Sequence, residues 1–219
     1  MKQAKKIGII VLFSSLVLML TACLNRASVE ERIYETLEKL IKLEEDFQKQ
    51  QKPLLELEQK EKELYDTIVS LGLKEEEKIA ELADESISTS NQRKELLDKE
   101  RESIKLSETE FEKVKELIGK LDDESLKKEA ENLYELMSKR YDLHDQLYEV
   151  YVKAIGYDQE LYNMFKEKAS IGQMQEQIEK INKTYQEIYD LNEQFNETTT
   201  QYNEAKLQFY KNAGLNIKE

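Results

Sequence analysis

Two residues stand out for chemistry because each is alone of its kind: Cys23 is the only cysteine and His144 the only histidine. A single imidazole excludes the paired Glu-x-x-His ligand sets of di-iron bundles and the HExxH zinc helix, both of which need two. His144 also falls on an apolar heptad column, where a satisfied core histidine is the ordinary outcome. No GxSxG, P-loop, GxGxxG or EF-hand spacing occurs. Acid clusters at Glu75 to Glu77 and Asp122 to Glu124 could attract divalent cations loosely, but in first turns they read more simply as helix-start charges. No catalytic residue, metal site or cofactor is expected, and the sequence reads as that of a non-enzyme.

Cys23 ends the stretch LMLTACLN. Before it come Lys2, Lys5 and Lys6, then an uncharged run of fourteen residues from Ile7 to Leu20 and the small residues Thr21 and Ala22. That order is a basic segment, an apolar segment and a cleavage site. The run is short of the roughly 20 residues that span a hydrocarbon core. The LTAC quartet resembles the bacterial lipobox, which implies diacylglycerol on the Cys23 sulfur and cleavage ahead of it. A thiol with no disulfide partner thereby gains a use, and two or more acyl chains anchor stably where one is marginal.

Cleavage leaves 197 of the 219 residues and removes three of the 33 basic residues but none of the 46 acids, so the net charge moves from −13 to −16. Nucleic acid is excluded as a partner, because binding it needs a basic footprint. An anionic membrane surface repels such a body, so lipid rather than electrostatics must hold it down.

Tyrosine offers the other chemistry. Of the twelve, ten lie from Tyr134 onward, and Tyr134, Tyr141, Tyr148 and Tyr162 share one heptad column with Ile155. A row of rings with polar tips could stack on cell-wall sugars, although heptad-spaced aromatics are more often core.

The elements that position these residues are helices. The single proline is Pro53, and Glu, Lys, Leu and Gln dominate. Ile33, Leu40, Phe47, Leu54 and Ile68 recur at sevenfold spacing, interrupted at Glu61. Ser28 and Glu31 form a predicted capping box ahead of them, and Gly72 a left-handed stop after. Next come Ala83, Ser90, Leu97, Ile104, Phe111 and Ile118. Their companion column of Ile79, Ser86, Arg93, Glu100, Ser107, Val114 and Leu121 is half polar, which predicts that the middle of this helix is the least buried. A broad stripe built on Leu126, Leu133, Leu147, Ala154 and Leu161 follows a cap at Asp122. A last helix, opened by Ser170 and Gln173, carries Met174, Ile181, Ile188, Phe195, Tyr202 and Phe209 and closes near Gly214.

The expected fold is all-α: an elongated antiparallel helical bundle or coiled coil of about four long helices after an N-terminal signal segment. The expected domains are a lipoprotein signal peptide at 1–22, a tether at 23–27 and one helical domain at 28–219. Its helices should run at about 28–71, 74–118, 122–169 and 171–213. The pattern fits a monomer and a helix-exchanged oligomer equally. Traced from the anchor, the turns around Leu73 and Ile171 are distal and best placed to meet a partner. Folding the first hairpin about Gly72 sets Pro53 level with Asn91, the end of the weak stretch Ser88 to Asn91, and predicts a bend there.

LTAC at 20–23, QQKPL at 50–54, ELYDTIVSLGLKE at 63–75, KLDDESLKKEAE at 120–131, ELYNMF at 160–165 and FYKNAGLN at 209–216 together carry a resemblance. Over essentially its full length the chain resembles the YkyA-type cell-wall-binding lipoproteins of Gram-positive bacilli. The resemblance implies a lipid-anchored extracytoplasmic helical protein associated with the cell wall, and it supplies no catalytic residues. Ionic binding to anionic wall polymers would need bridging divalent cations. The favoured function is a non-enzymatic binding or scaffold protein on the outer membrane face, meeting a wall component or an envelope protein. The alternative is a membrane-active helical bundle, for which residues 24–219 lack a second long apolar run.

Overall fold

The apolar columns close into helices along nearly the whole chain. The computed structural model describes residues 27–72 and 75–215. Its helices are α1 Val29–Leu43, α2 Glu45–Leu71, α3 Glu76–Ile118, α4 Glu124–Glu167 and α5 Ile171–Asn212, and no strand occurs among the described residues. Since α1 and α2 form one arm interrupted at Glu44, the fold is an all-α antiparallel bundle of four rods. The leader, Cys23 and Leu73 lie outside the described residues.

Local sequence sets the ends. Ser28 with Glu31 and Ser170 with Gln173 make reciprocal capping boxes. The cap of α4 is Asp123 rather than the expected Asp122; its carboxylate accepts from the Ser125 and Leu126 amides at 2.7 and 3.0 Å. This helix ends at Glu167, short of the expected 169, because Lys168 turns left-handed with φ 56°. Helix α3 starts at Glu76 instead of 74. Gly72 and Gly214 take φ of 61° and 68°, where a β-carbon would be strained.

The break at Glu44 was not expected from the heptads. Ser103 of α3 inserts its hydroxyl into the α-helical ladder, donating to the Leu43 carbonyl at 2.6 Å and accepting from the Phe47 amide at 3.1 Å. A side chain wedged into the ladder kinks a helix. Pro53, the expected bend, lies inside α2 without ending it.

Each rod packs chiefly on the next in the chain: α1 and α2 on α3, α3 on α4, and α4 on α5. The largest core cluster joins Ile33, Leu37 and Leu40 to Phe111, Val114, Leu133, Met137 and Phe209 near the chain ends. A smaller one joins Ile68 and Ala83 to Tyr162 at the opposite end. Between these apolar ends the interior is polar.

Helix α3 is therefore the reverse of the prediction. The companion column from Ile79 to Leu121, polar members included, is buried throughout. Its serines are short enough to admit neighbouring charged side chains, and Ser86 and Thr89 bond back to carbonyls one turn earlier. The hairpin register also differs from the expectation. Ser90 meets Glu61, Glu100 meets Gln51 and Leu97 packs with Leu54. Pro53 thus stands level with Asp98 and not with Asn91, one heptad away, because the hairpin pairs about a point beyond Gly72.

Candidate functional site: a polar groove between the outer rods

The order first arm, α3, α4, α5 leaves the first arm and α5 as outer rods that close only partly on each other. Near the chain ends Tyr34 and Tyr210 meet edge to face with centroids 4.9 Å apart, and Tyr210 donates to Glu38 at 3.0 Å. Farther along, Phe47 and Phe195 still meet across the rods with centroids 6.1 Å apart, and two principal cavities lie between the rods over a floor of α3 and α4.

One cavity, of about 290 Å³, lies over Arg93. That guanidinium is 1% exposed and donates to Glu61 at 2.8 Å, Asp158 at 3.4 Å and Tyr185 at 3.1 Å, while Glu58 stands 3.5 Å away. Ser90 donates to the other Glu61 oxygen and Tyr185 to Asp158 at 2.6 Å. Burial works against the Arg93 charge, yet the Tyr185 hydroxyl, Glu61 and Glu58 outweigh it and hold the proton more firmly than usual. Burial pushes Asp158 up to about 6 against the pull of Tyr185 and Arg93, and it raises Glu58 as well.

The other cavity, of about 350 Å³, is walled by Gln48, Gln51, Asn192, Asn196 and Thr199 over Phe47, Leu97, Leu147 and Phe195. Arg140 borders it and grips Glu44 with two donations at 3.0 and 2.8 Å, its guanidinium 4.8 Å from the Phe195 centroid. Bidentate geometry makes this a strong pair. Glu44 also accepts from Ser107, which bonds to Tyr141. Glu100 is 4% exposed and receives only the Gln51 amide, at 2.7 Å. Burial first, then the Glu58 charge, push it up to about 8. His144 lies between Phe47 and Phe195 with Nδ1 unpartnered, and burial, then Arg140, push it down to about 4. It is a neutral interior imidazole near neutral pH.

The tyrosine column does not form one surface. Tyr141 is 2% exposed. Tyr134 is half-buried, stacked on Phe111 with centroids 5.0 Å apart. Tyr148, also half-buried, donates to Asp98 and lies under Arg101; of these three it alone reaches the groove, beside Tyr151. Ile171, the first residue of α5, is 63% exposed.

The charged residues that build the groove are the ones that interrupt the apolar columns: Glu61, Arg93, Glu100, Arg140 and Asp158. Each breaks a heptad run; Arg93 pairs across rods with Glu61 and Asp158, Arg140 with Glu44, and Glu100 with no cation among the described residues. Among the described residues no group of three acids, histidines or cysteines is placed to hold a metal ion, and no helix is long and apolar enough to cross a membrane.

Known proteins share this chain and this fold. Residues 28–212 match the YkyA family, described as "Putative cell-wall binding lipoprotein". The chain is 34% identical over 208 residues, 94% of its length and 93% of the relative's, to a Bacillus subtilis protein named "Uncharacterized lipoprotein YkyA". The fold is similar to a crystal structure of a conserved protein of unknown function from Staphylococcus aureus. That likeness has a TM-score of 0.71 at 19% identity and covers 85% of this chain and 98% of the other. With its family match spanning every rod of the bundle, the chain belongs to the YkyA family.

Proposed function

We propose that the protein is a lipid-anchored extracytoplasmic binding protein without catalytic activity, tethered through acyl chains on Cys23 after removal of residues 1–22. The groove between the first arm and α5 receives a component of the cell wall. The observation that carries this reading is the groove itself: cavities between two outer rods over a floor of buried charges, walled by Gln48, Gln51, Asn192 and Asn196. Amide side chains offer both donors and acceptors, which suits sugar hydroxyls and peptide groups alike. The family description supports a wall component as the ligand. The exposed tip at Ile171 is kept for secondary contact.

The test is sedimentation of the full-length lipoprotein, in detergent, with purified peptidoglycan, with and without magnesium. The expected result is binding without added magnesium, weakened at least tenfold by Asn192→Arg and Asn196→Arg and unchanged by Ile171→Glu. Failure to sediment in either condition would overturn the wall reading; loss of binding in Ile171→Glu alone would move the contact to the tip.

A further inference from the structure

Glu100 differs from every other carboxyl that the groove buries. Glu61, Asp158 and Glu58 share Arg93, and Glu44 has Arg140. Among the described residues Glu100 has no cation within ion-pairing distance; its one bond is from a neutral amide. A buried carboxyl without a positive partner costs stability unless it is protonated or something else supplies the charge. Three further features place that missing charge in the cavity. Glu100 lines it together with the rings of Phe47 and Tyr151, whose faces attract cations. His144 lines it too, 5% exposed, with Nδ1 lacking any partner, so an uncharged imidazole with unused hydrogen-bonding capacity borders the same cavity. A volume of about 350 Å³ fits a side chain and the peptide unit that bears it.

We propose that this cavity is the receptor for a primary ammonium group on the wall polymer, the free amine of a diamino acid in a wall peptide. The ammonium pairs with Glu100, and the amides of Gln48, Gln51, Asn192 and Asn196 take the polar chain that carries it. This rests on the wall-binding reading above. A divalent metal is the poorer occupant, because no group of three acids, histidines or cysteines is placed to hold one among the described residues. A neutral sugar would leave the carboxyl without its counter-charge.

The charges facing Glu100 sharpen the expectation. From the first arm come Glu44 and Glu58, and from α4 come Arg140, already held by Glu44, with His144, Tyr148 and Tyr151; α5 contributes the neutral Asn192, Asn196 and Thr199. With Glu100 up at about 8 when the cavity is empty, pairing it with an ammonium expels its proton. Affinity must then rise with pH up to about 8, by at most about tenfold per unit.

The experiment compares peptidoglycan whose free amines have been acetylated with untreated peptidoglycan, using the full-length lipoprotein in detergent. Acetylation should weaken binding at least tenfold. Glu100→Gln should bind untreated polymer as weakly and should lose both the response to acetylation and the rise between pH 6 and 8. Equal binding of both polymers by the wild-type protein overturns the proposal and leaves wall binding standing. If neither polymer is bound, the wall reading has failed, and titration with Nα-acetyl-lysine methylamide, followed at the side-chain amides of Gln51 and Asn192, decides alone. Tenfold tighter binding than to Glu100→Gln supports the amine site, and no difference overturns it.

Discussion

Arg93 is surrounded by more negative charge than it can neutralise, and removing it should be felt at once. Arg93→Met leaves Glu61 and Asp158 buried without a counter-charge, a change that costs about 3–5 kcal/mol in comparable sites. Urea denaturation should show that loss and partial recovery in Arg93→Met/Glu61→Gln, which leaves one acid fewer buried without a counter-charge. Glu100 makes the opposite prediction. Its proton is held up to about pH 8 in the folded chain and released near the ordinary carboxylate range on unfolding. Folded protein therefore binds more protons between those values, and stability falls as pH rises through that window. Glu100→Gln should gain in melting temperature over the wild type as pH climbs from 5 to 8. His144 has the other sign: burial holds it neutral down to about pH 4, so its contribution is complete above pH 6.5 and lost as acid is added.

At the level of elements, the joint at Glu44 hangs on one hydroxyl. Ser103→Ala strips a partner from the Leu43 carbonyl and the Phe47 amide, a loss of about 1–3 kcal/mol for buried polar groups left unpaired. Hydrogen exchange at residues 43–48 should quicken while the amides of α4 keep their protection. The joint was illegible in the sequence because its cause sits on another rod, 60 positions away. Local sequence did locate the rods, both capping boxes and most of the apolar core, since each depends on residues a turn or two apart. It misjudged α3 because Ser, Arg and Glu on a seam suggest solvent, whereas here the partners that satisfy them come from Glu44, Glu61 and Asp158. The signal was present: Glu61, Arg140 and Asp158 broke mainly apolar columns, Arg93 stood on the half-polar column of α3, and opposite charges on facing seams can satisfy each other. Their pairing needed a register, and the register depended on how many residues the turn after Gly72 consumes.

The whole molecule is a rod assembly with apolar ends and a charged middle. Helix α3 alone has 43 residues and extends about 65 Å at 1.5 Å per residue, so small-angle scattering should give a maximum dimension no shorter than that. A value near that of a sphere of equal mass would contradict the arrangement. Buried charge in the middle also limits what can move: Arg93 links the first arm, α3, α4 and α5 through Glu61, Asp158 and Tyr185, which sets the floor of the groove while its walls stay unzipped. Those walls are α2 and α5. A guest touching both would act as a clasp between segments that are remote in sequence, adding to the few contacts the rods make for themselves. Occupancy should therefore harden the bundle against mechanical pulling, making it a body that stiffens because it is holding on.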